Sequence, residues 1–114
     1  AVTGACMMVE KGKYEEAGGL DEEFKVALND VDFCLKLRKK GYLNIFTPYA
    51  IAYHYESKSR GLETEGAKEE RFLEEVDRFR EKWKEEIEKG DPYFNPNFSL
   101  DRPDFYPKEE YHLR

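Results

Sequence analysis

The chain has 114 residues, which corresponds to about one small domain with a single hydrophobic core. Hydrophobic residues make up 39% and aromatic residues 15% of the sequence, so the composition is not that of a disordered protein. The formal net charge is -6 and no dense run of lysine and arginine occurs, which argues against nucleic acid as a partner.

Cysteine content and hydropathy bear on the compartment. Cys6 and Cys34 lie in apolar surroundings, and two cysteines are too few for a secreted disulfide scaffold, so two reduced, buried thiols are predicted. No signal peptide is recognisable, and no apolar run approaches the roughly 20 residues of a membrane-spanning helix. We expect a cytoplasmic protein without a transmembrane segment; peripheral contact with the inner face of the membrane remains open. Because the chain begins inside an apolar run without Met, we also expect it to be part of a larger protein.

The first quarter of the chain is predicted to form a strand, a short helix and a turn. Residues 5–9 are a continuous apolar run of strand length. Residues 11–17 can form a short helix, which Gly18 and Gly19 end because glycine adopts the left-handed conformation at little cost. Residues 20–24 then form a turn with two apolar anchors.

A second helix is predicted over residues 29–40. Asn29 is a suitable N-cap, and Asp32 can complete a capping box. Asp30 and Asp32 lie in the first turn, where free backbone amides and the helix dipole favour carboxylates. The pattern alone favours capping as the role of these acids over a role in chemistry.

Two strand segments and a polar loop are predicted next. Residues 43–48 and 51–55 are rich in β-formers. In the second segment large apolar and aromatic residues alternate with Ala52 and His54. A strand histidine is more often a core or surface residue than a metal ligand or an acid/base. The following loop carries Lys58 and Arg60 between small hydroxyl residues, which suits either closure on a diphosphate or an ordinary solvated loop.

The second half of the chain is predicted to form a long amphipathic helix and a tail. The helix covers residues 65–89, and large apolar residues recur along it at helical spacing, which indicates packing: Phe72, Val76, Phe79, Trp83 and Ile87. Residues 91–114 are rich in aromatic residues and proline and are expected to lie over the body in extended form. We therefore place the boundary between two parts, residues 1–62 and residues 63–114.

Four short segments occur in a specific order: TGACM at residues 3–7, GGLDEEF at residues 18–24, NDVDFCLKLR at residues 29–38, and TPYA at residues 47–50 leading to His54. Together they resemble the family 2, inverting glycosyltransferases of the GT-A fold, particularly the rhamnosyltransferase-like members. The resemblance covers about the first half of the chain. It implies an α/β fold: the acceptor-side portion of a GT-A (Rossmann-like) domain, a small sheet with packed helices, followed by the long helix and the extended tail.

The resemblance also implies roles for the acidic residues. The family usually carries Glu-Asp at the start of the third segment, and the Asp, here Asp30, is regarded as the catalytic base. This sequence departs from the pattern because Asn29 replaces the Glu. Asp21, Asp32 and Asn29 would then support the acceptor side of the site.

Donor and metal binding are implied mostly for regions outside this chain. His54 resembles a residue that helps to hold the metal or the donor diphosphate, and Lys58 and Arg60 would assist it. The family's metal-binding Asp-X-Asp and nucleotide-binding half precede the first segment, so Mg²⁺ or Mn²⁺ is expected in the complete enzyme and not on this chain. Asp30 and Asp32 also spell Asp-X-Asp, but at the wrong place in the order.

The expected function is transfer of a sugar from a nucleotide-sugar donor to a glycan or lipid-linked acceptor hydroxyl, with inversion, by a complete enzyme of which this chain alone is inactive. An inverting displacement needs a base opposite the leaving diphosphate. One alternative is a non-catalytic assembly module that forms a homodimer through the C-terminal helix. A small metal-dependent hydrolase using Asp30, Asp32 and His54 is less favoured, because it needs more ligands than the chain offers.

Overall fold

The computed structural model describes residues 1–25, 27–55, 65–102 and 104–108, the side chains of Glu65 and Lys68 excepted. Two compact units are present, Ala1–Lys82 and Trp83–Arg114. The boundary predicted between residues 62 and 63 lies outside the described residues and stays a prediction. Within these described ranges the elements in chain order are a 3₁₀ turn and four α-helices: Gly4–Cys6, α1 (Lys11–Glu16), α2 (Asn29–Lys39), α3 (Glu65–Lys82) and α4 (Lys84–Glu88).

The predicted sheet, and with it the α/β fold class, is wrong for the described part of the chain. That part contains helices and one isolated antiparallel bridge between Phe98 and Pro107, but no strand. Residues 5–9 begin in the 3₁₀ turn, and only from Met7 is the backbone extended. A strand forms only when a neighbouring chain segment takes up its N–H and C=O groups, and in the described ranges no segment pairs in this way with residues 43–55.

The apolar side chains of residues 43–55 lie largely in solvent. Their exposed fractions range from 74% to 87% for Leu43, Ile45, Phe46, Ile51 and Tyr53. The alternation of the sequence therefore does not place one side of this segment in a core. The buried residues in the described ranges lie elsewhere, most of them on or next to the helices.

The first helix ends at two glycines, as predicted. Gly18 and Gly19 have φ values of 79° and 65°, in the left-handed region that favours glycine. A Cβ added at Gly19 would lie 3.0 Å from the ring of Tyr14, so a larger residue would meet α1 itself. Tyr14 in turn packs on Phe33 of α2, with 5.3 Å between ring centroids.

The core of the first unit forms where α2 meets α1. Phe33 and Leu37 lie one turn apart on α2 and are buried together with Ala17, which follows α1. Half-buried apolar side chains pack against this cluster: Met7, Val9 and Tyr42. Burial of each large side chain contributes roughly 1.5–3 kcal/mol, so these contacts hold α1 and α2 together.

The two cysteines have different environments. Cys34 is buried, and its Sγ accepts a hydrogen bond from the Val2 amide at 3.3 Å. Cys6 is exposed, so the prediction of two buried thiols is correct for Cys34 and wrong for Cys6.

The long helix predicted over residues 65–89 is divided at Trp83. The backbone of Trp83 has φ -110° and ψ 22°, which ends α3 and precedes the short helix α4. Phe79 packs edge-on against Phe24 at 6.0 Å between centroids, and Phe24 is buried. Trp83 is also buried, whereas Phe72 is 48% exposed, so only part of the predicted stripe is in a core. No helix in the described ranges is both long enough and apolar enough to cross a bilayer.

The tail folds back on itself, which corrects the expectation of an extended tail. Phe98 contacts the rings of Phe94 and Phe105 at centroid distances of 6.4 Å and 6.0 Å. Backbone hydrogen bonds flank the bridge at Phe98: the Ser99 amide donates to the Tyr106 carbonyl at 2.8 Å, and the Lys108 amide donates to the Asn97 carbonyl at 2.9 Å. Phe94, Phe98 and Phe105 thus form a local aromatic cluster within the second unit.

Candidate functional site

The start of α2 brings Asp30 against the N-terminal segment. Oδ2 of Asp30 accepts a hydrogen bond from the Gly4 amide at 2.8 Å, and Oδ1 accepts one from the Val31 amide at 2.8 Å. A Cβ added at Gly4 would lie 3.4 Å from the Cβ of Asp30, in close van der Waals contact. The first and third segments of the family resemblance therefore meet at one carboxylate, although Gly4 and Asp30 are 26 positions apart in the sequence.

The turn at Gly4–Cys6 directs the Gly4 amide towards Asp30. The Thr3 hydroxyl accepts from the Ala5 amide at 3.4 Å and so caps this turn. Asp30 is only half-buried, and each carboxylate oxygen keeps a second lone pair after accepting one hydrogen bond. The group is held in position and can still accept a proton from a hydroxyl that approaches from solvent.

Asp32 lies in a different environment. Its side chain is fully buried, with Oδ1 2.8 Å from the Nζ of Lys82 and Oδ2 3.3 Å from the Nζ of Lys36. A carboxylate enclosed by two ammonium groups is not available to a substrate or a metal ion. Asp32 therefore joins α2 to the end of α3 through an ion pair.

Asp21 is bound to the same lysine. Its Oδ2 lies 2.6 Å from the Nζ of Lys82, and its Oδ1 accepts from the Glu23 amide at 3.0 Å. These two bonds, the lysine first, lower the pKa of the Asp21 carboxyl. Burial pulls the pKa of Lys82 down, but its bonds with Asp21 and Asp32 outweigh burial and raise the pKa overall. Lys82 thereby connects the glycine-rich turn, α2 and α3.

Asn29 is not the N-cap that the pattern predicts. It is the first residue of α2, and the N-cap position belongs to Leu28, whose side chain makes no capping hydrogen bond. Leu28 has φ 63° and ψ 1°, a conformation unusual for a residue with a bulky side chain. Because Leu is normally disfavoured there, the sequence pattern places the cap one residue late. A supporting role of Asn29 at the acceptor side stays a prediction.

Glu75 is a buried carboxylate that the sequence patterns did not single out. It is 2% exposed, and it accepts from two backbone amides, Lys25 at 3.0 Å and Ala27 at 2.7 Å. Because α3 contains many glutamates, the residue type alone does not distinguish Glu75 from its exposed neighbours. Its position gives the only signal: three residues after Phe72 and four before Phe79, it lies on the apolar face of the helix.

The predicted donor-binding residues are only partly described. His54 is exposed in the non-helical segment before residue 56. Lys58 and Arg60 lie outside the described residues. Contact of these three residues with a diphosphate or a metal stays a prediction.

The described residues do not fit a divalent cation. In the ranges that the structure covers, no three His, Cys, Asp or Glu side chains come together as a ligand group. Asp32 faces two lysines, and Asp30 is a single carboxylate that does not belong to such a group in the described ranges. The expected Mg²⁺ or Mn²⁺ therefore has no ligand set among these residues.

The chain is similar in sequence to parts of several longer proteins. No family model matches the chain, and no solved structure matches it. It is 46% identical over 106 residues to the uncharacterized protein y4gI of Sinorhizobium fredii, covering 92% of this chain and 12% of that protein. It is 33% identical over 104 residues to the O-antigen biosynthesis protein RfbC of Myxococcus xanthus, covering 91% of this chain and 8% of that protein.

A third relative is named for its reaction. The chain is 32% identical over 60 residues to the N-acetylglucosaminyl-diphospho-decaprenol L-rhamnosyltransferase of Mycobacterium tuberculosis, covering 53% of this chain and 20% of that enzyme. The chain thus spans between 8% and 20% of the length of these three relatives. In sequence the chain is glycosyltransferase-like, in agreement with the resemblance drawn from its motifs.

Proposed function

We propose that the chain is the acceptor-side part of a larger, inverting glycosyltransferase of family 2. The observation that carries the proposal is the similarity to a protein named as a rhamnosyltransferase and to another named for O-antigen biosynthesis. The complete protein would transfer a sugar from a nucleotide-sugar donor to a hydroxyl of a glycan or lipid-linked acceptor. We place this reaction in the cytoplasm, where nucleotide sugars are the donors.

In this proposal Asp30 is the general base. The acceptor oxygen attacks the anomeric carbon while the bond from that carbon to the donor diphosphate breaks, and the hydroxyl proton passes to a carboxylate oxygen of Asp30. A single displacement inverts the configuration at the anomeric carbon. The hydrogen bonds from Gly4 and Val31 support this role, because they fix the carboxylate while it stays accessible.

His54, Lys58 and Arg60 are proposed to face the donor diphosphate. Two cations and an imidazole suit an anionic leaving group. A divalent cation would neutralise that group in the complete enzyme, but the described residues do not form a site for it, and no step proposed for this chain depends on it.

The test is a transfer assay with the complete protein encoded by the gene from which this chain comes. N-acetylglucosaminyl-diphospho-prenol is the first acceptor to try, with UDP-, GDP- and dTDP-sugars as donors and Mg²⁺ or Mn²⁺ present. We expect one donor class to give a glycosylated lipid of inverted anomeric configuration, read by NMR. A product with retained configuration would refute the proposed mechanism. Absence of transfer from every donor to this and other lipid-linked or glycan acceptors would refute the proposed function.

A further inference from the structure

We propose that Glu75 of α3 is a positioning residue for Asp30. It acts through the loop before α2, the segment that contains Lys25 and Ala27. The inference rests on the proposed function in one respect, that Asp30 reacts with the acceptor. The loop geometry, however, can be tested without any activity.

Glu75 binds the loop through both oxygens of a buried carboxylate. Oε1 accepts from the Lys25 amide and Oε2 from the Ala27 amide, 50 and 48 residues away in sequence. A carboxylate that is 98% removed from solvent is costly unless hydrogen bonds replace its water, and these two amides provide such bonds. These two hydrogen bonds thus connect the loop before α2 to α3, a helix from a distant part of the sequence.

The next residue after this loop is held in an unfavourable conformation. Leu28 lies in the left-handed region, which bulky side chains rarely adopt, and such a conformation persists only when the surrounding structure enforces it. The Leu28 carbonyl accepts from the Asp32 amide at 2.8 Å, which is the first hydrogen bond of α2. The conformation of Leu28 therefore decides the direction in which α2 begins.

Asp30 follows two residues later, so its direction depends on the same bend. The 2.8 Å bond between Asp30 and Gly4 forms only if the first turn of α2 points at the Gly4–Cys6 turn. Release of the Glu75 contacts would let Leu28 relax to an ordinary conformation and move Asp30 from its position. Displacement of a reacting group by about 1 Å can cost on the order of 100-fold in rate.

The experiment compares Glu75→Gln with Glu74→Gln in the complete protein. The Gln side chain presents one oxygen and one NH₂ group. Its oxygen can accept from one of the two loop amides, but its NH₂ group is a donor and cannot accept from the other. We expect Glu75→Gln to lower kcat about 10- to 100-fold while the donor KM stays nearly unchanged. Glu74 is an exposed carboxylate on the same helix, and the matched change there should leave both constants unaltered.

A rescue variant separates positioning from simple loss of stability. Glycine adopts the left-handed conformation at no cost, so Leu28→Gly in the Glu75→Gln background should restore most of kcat. Leu28→Asn serves the same purpose if the glycine variant does not fold, since Asn tolerates this conformation. A purely structural role for Glu75 predicts the opposite, namely that the second change lowers both the melting temperature and the activity further.

Hydrogen exchange at the Lys25 and Ala27 amides gives a readout independent of catalysis. We expect faster exchange at both amides in Glu75→Gln and wild-type exchange in Glu74→Gln. Unchanged exchange, or faster exchange with an unchanged kcat, would overturn the proposal. If the wild type transfers no sugar, the proposed function fails and the positioning role with it, whereas the exchange data still decide whether Glu75 holds the loop.

Discussion

Four carboxylates of the first unit have different surroundings. Asp30 is half-buried on backbone amides, Asp32 is enclosed by two lysines, and Asp21 shares one of those lysines. Glu75 is buried on two loop amides. The sequence predicts that Asp30 and Asp32 lie in the first turn of a helix, which the structure confirms. It does not predict the environment of Asp32, because Lys82 follows 50 residues later and pattern analysis does not reveal such distant partners.

Asp21 should contribute to the acid sensitivity of the fold. Its bond with Lys82 lowers its pKa in the folded state below the unfolded value of about 3.9. A carboxyl with a lowered folded pKa contributes stability that is complete above the unfolded pKa and is lost as the pH falls through the folded pKa. We therefore expect the melting temperature of the wild type to fall more steeply below about pH 4 than that of Asp21→Asn.

A second substitution tests the cause of this pH dependence. In a Lys82→Met background, the main partner of Asp21 is gone, so Asp21→Asn should alter the acid limb of the melting curve much less. The measurement is the melting temperature of the wild type, the two single variants and the double variant from about pH 7 to about pH 2.5. Equal effects of Asp21→Asn with and without Lys82 would show that the lysine is not the cause.

Among the elements, α3 joins the turn and α2 through charged as well as apolar side chains. Phe79 packs on Phe24, as an amphipathic helix predicts. Glu75 and Lys82 lie on the same face and bind the loop and the two aspartates. A stripe of apolar residues predicts that the helix packs, but it does not identify the charged residues within the interface.

Removal of the Lys82 charge should destabilise the protein measurably. Breaking a buried ion pair costs about 3–5 kcal/mol, but Lys82 is partly exposed and Asp32 keeps Lys36, so we expect Lys82→Met to cost about 1–3 kcal/mol. Lys89→Met is the matched control. Lys89 is exposed just after the end of α4 and pairs there with Glu86, so its replacement should have no measurable effect. Urea unfolding of both variants gives the comparison. An equal loss in the two would contradict a special role of Lys82.

The strand prediction for residues 51–55 failed for a physical reason. The alternation in residues 51–55 shows which side chains can share a face, but a strand also needs a backbone partner, and that partner is not encoded in the segment itself. Helix α2 is predicted almost completely because its hydrogen bonds are internal: residues 29–40 are expected and Asn29–Lys39 is observed. Local elements could be inferred from this sequence, whereas pairing between distant segments could not.

The chain corresponds to a small part of the length of each of its relatives. It spans 12% of one relative and 20% of the named rhamnosyltransferase. The proposed base lies in the first unit, Ala1–Lys82, and the tail forms a local aromatic cluster in the second. Donor binding, the divalent cation and homodimer formation through the C-terminal helix stay predictions for the complete protein.

The role of Asp30 as general base is tested most directly by the transfer rate of two Asp30 variants of the complete protein. Asn keeps an oxygen that can accept from the Gly4 amide, whereas Ala keeps none. We expect both Asp30→Asn and Asp30→Ala to lower kcat by about 10²–10⁴ with donor affinity nearly unchanged, because neither accepts the acceptor proton. If Asp30→Asn instead transfers sugar at nearly the wild-type rate while Asp30→Ala is inactive, Asp30 holds the N-terminal turn and is not the base.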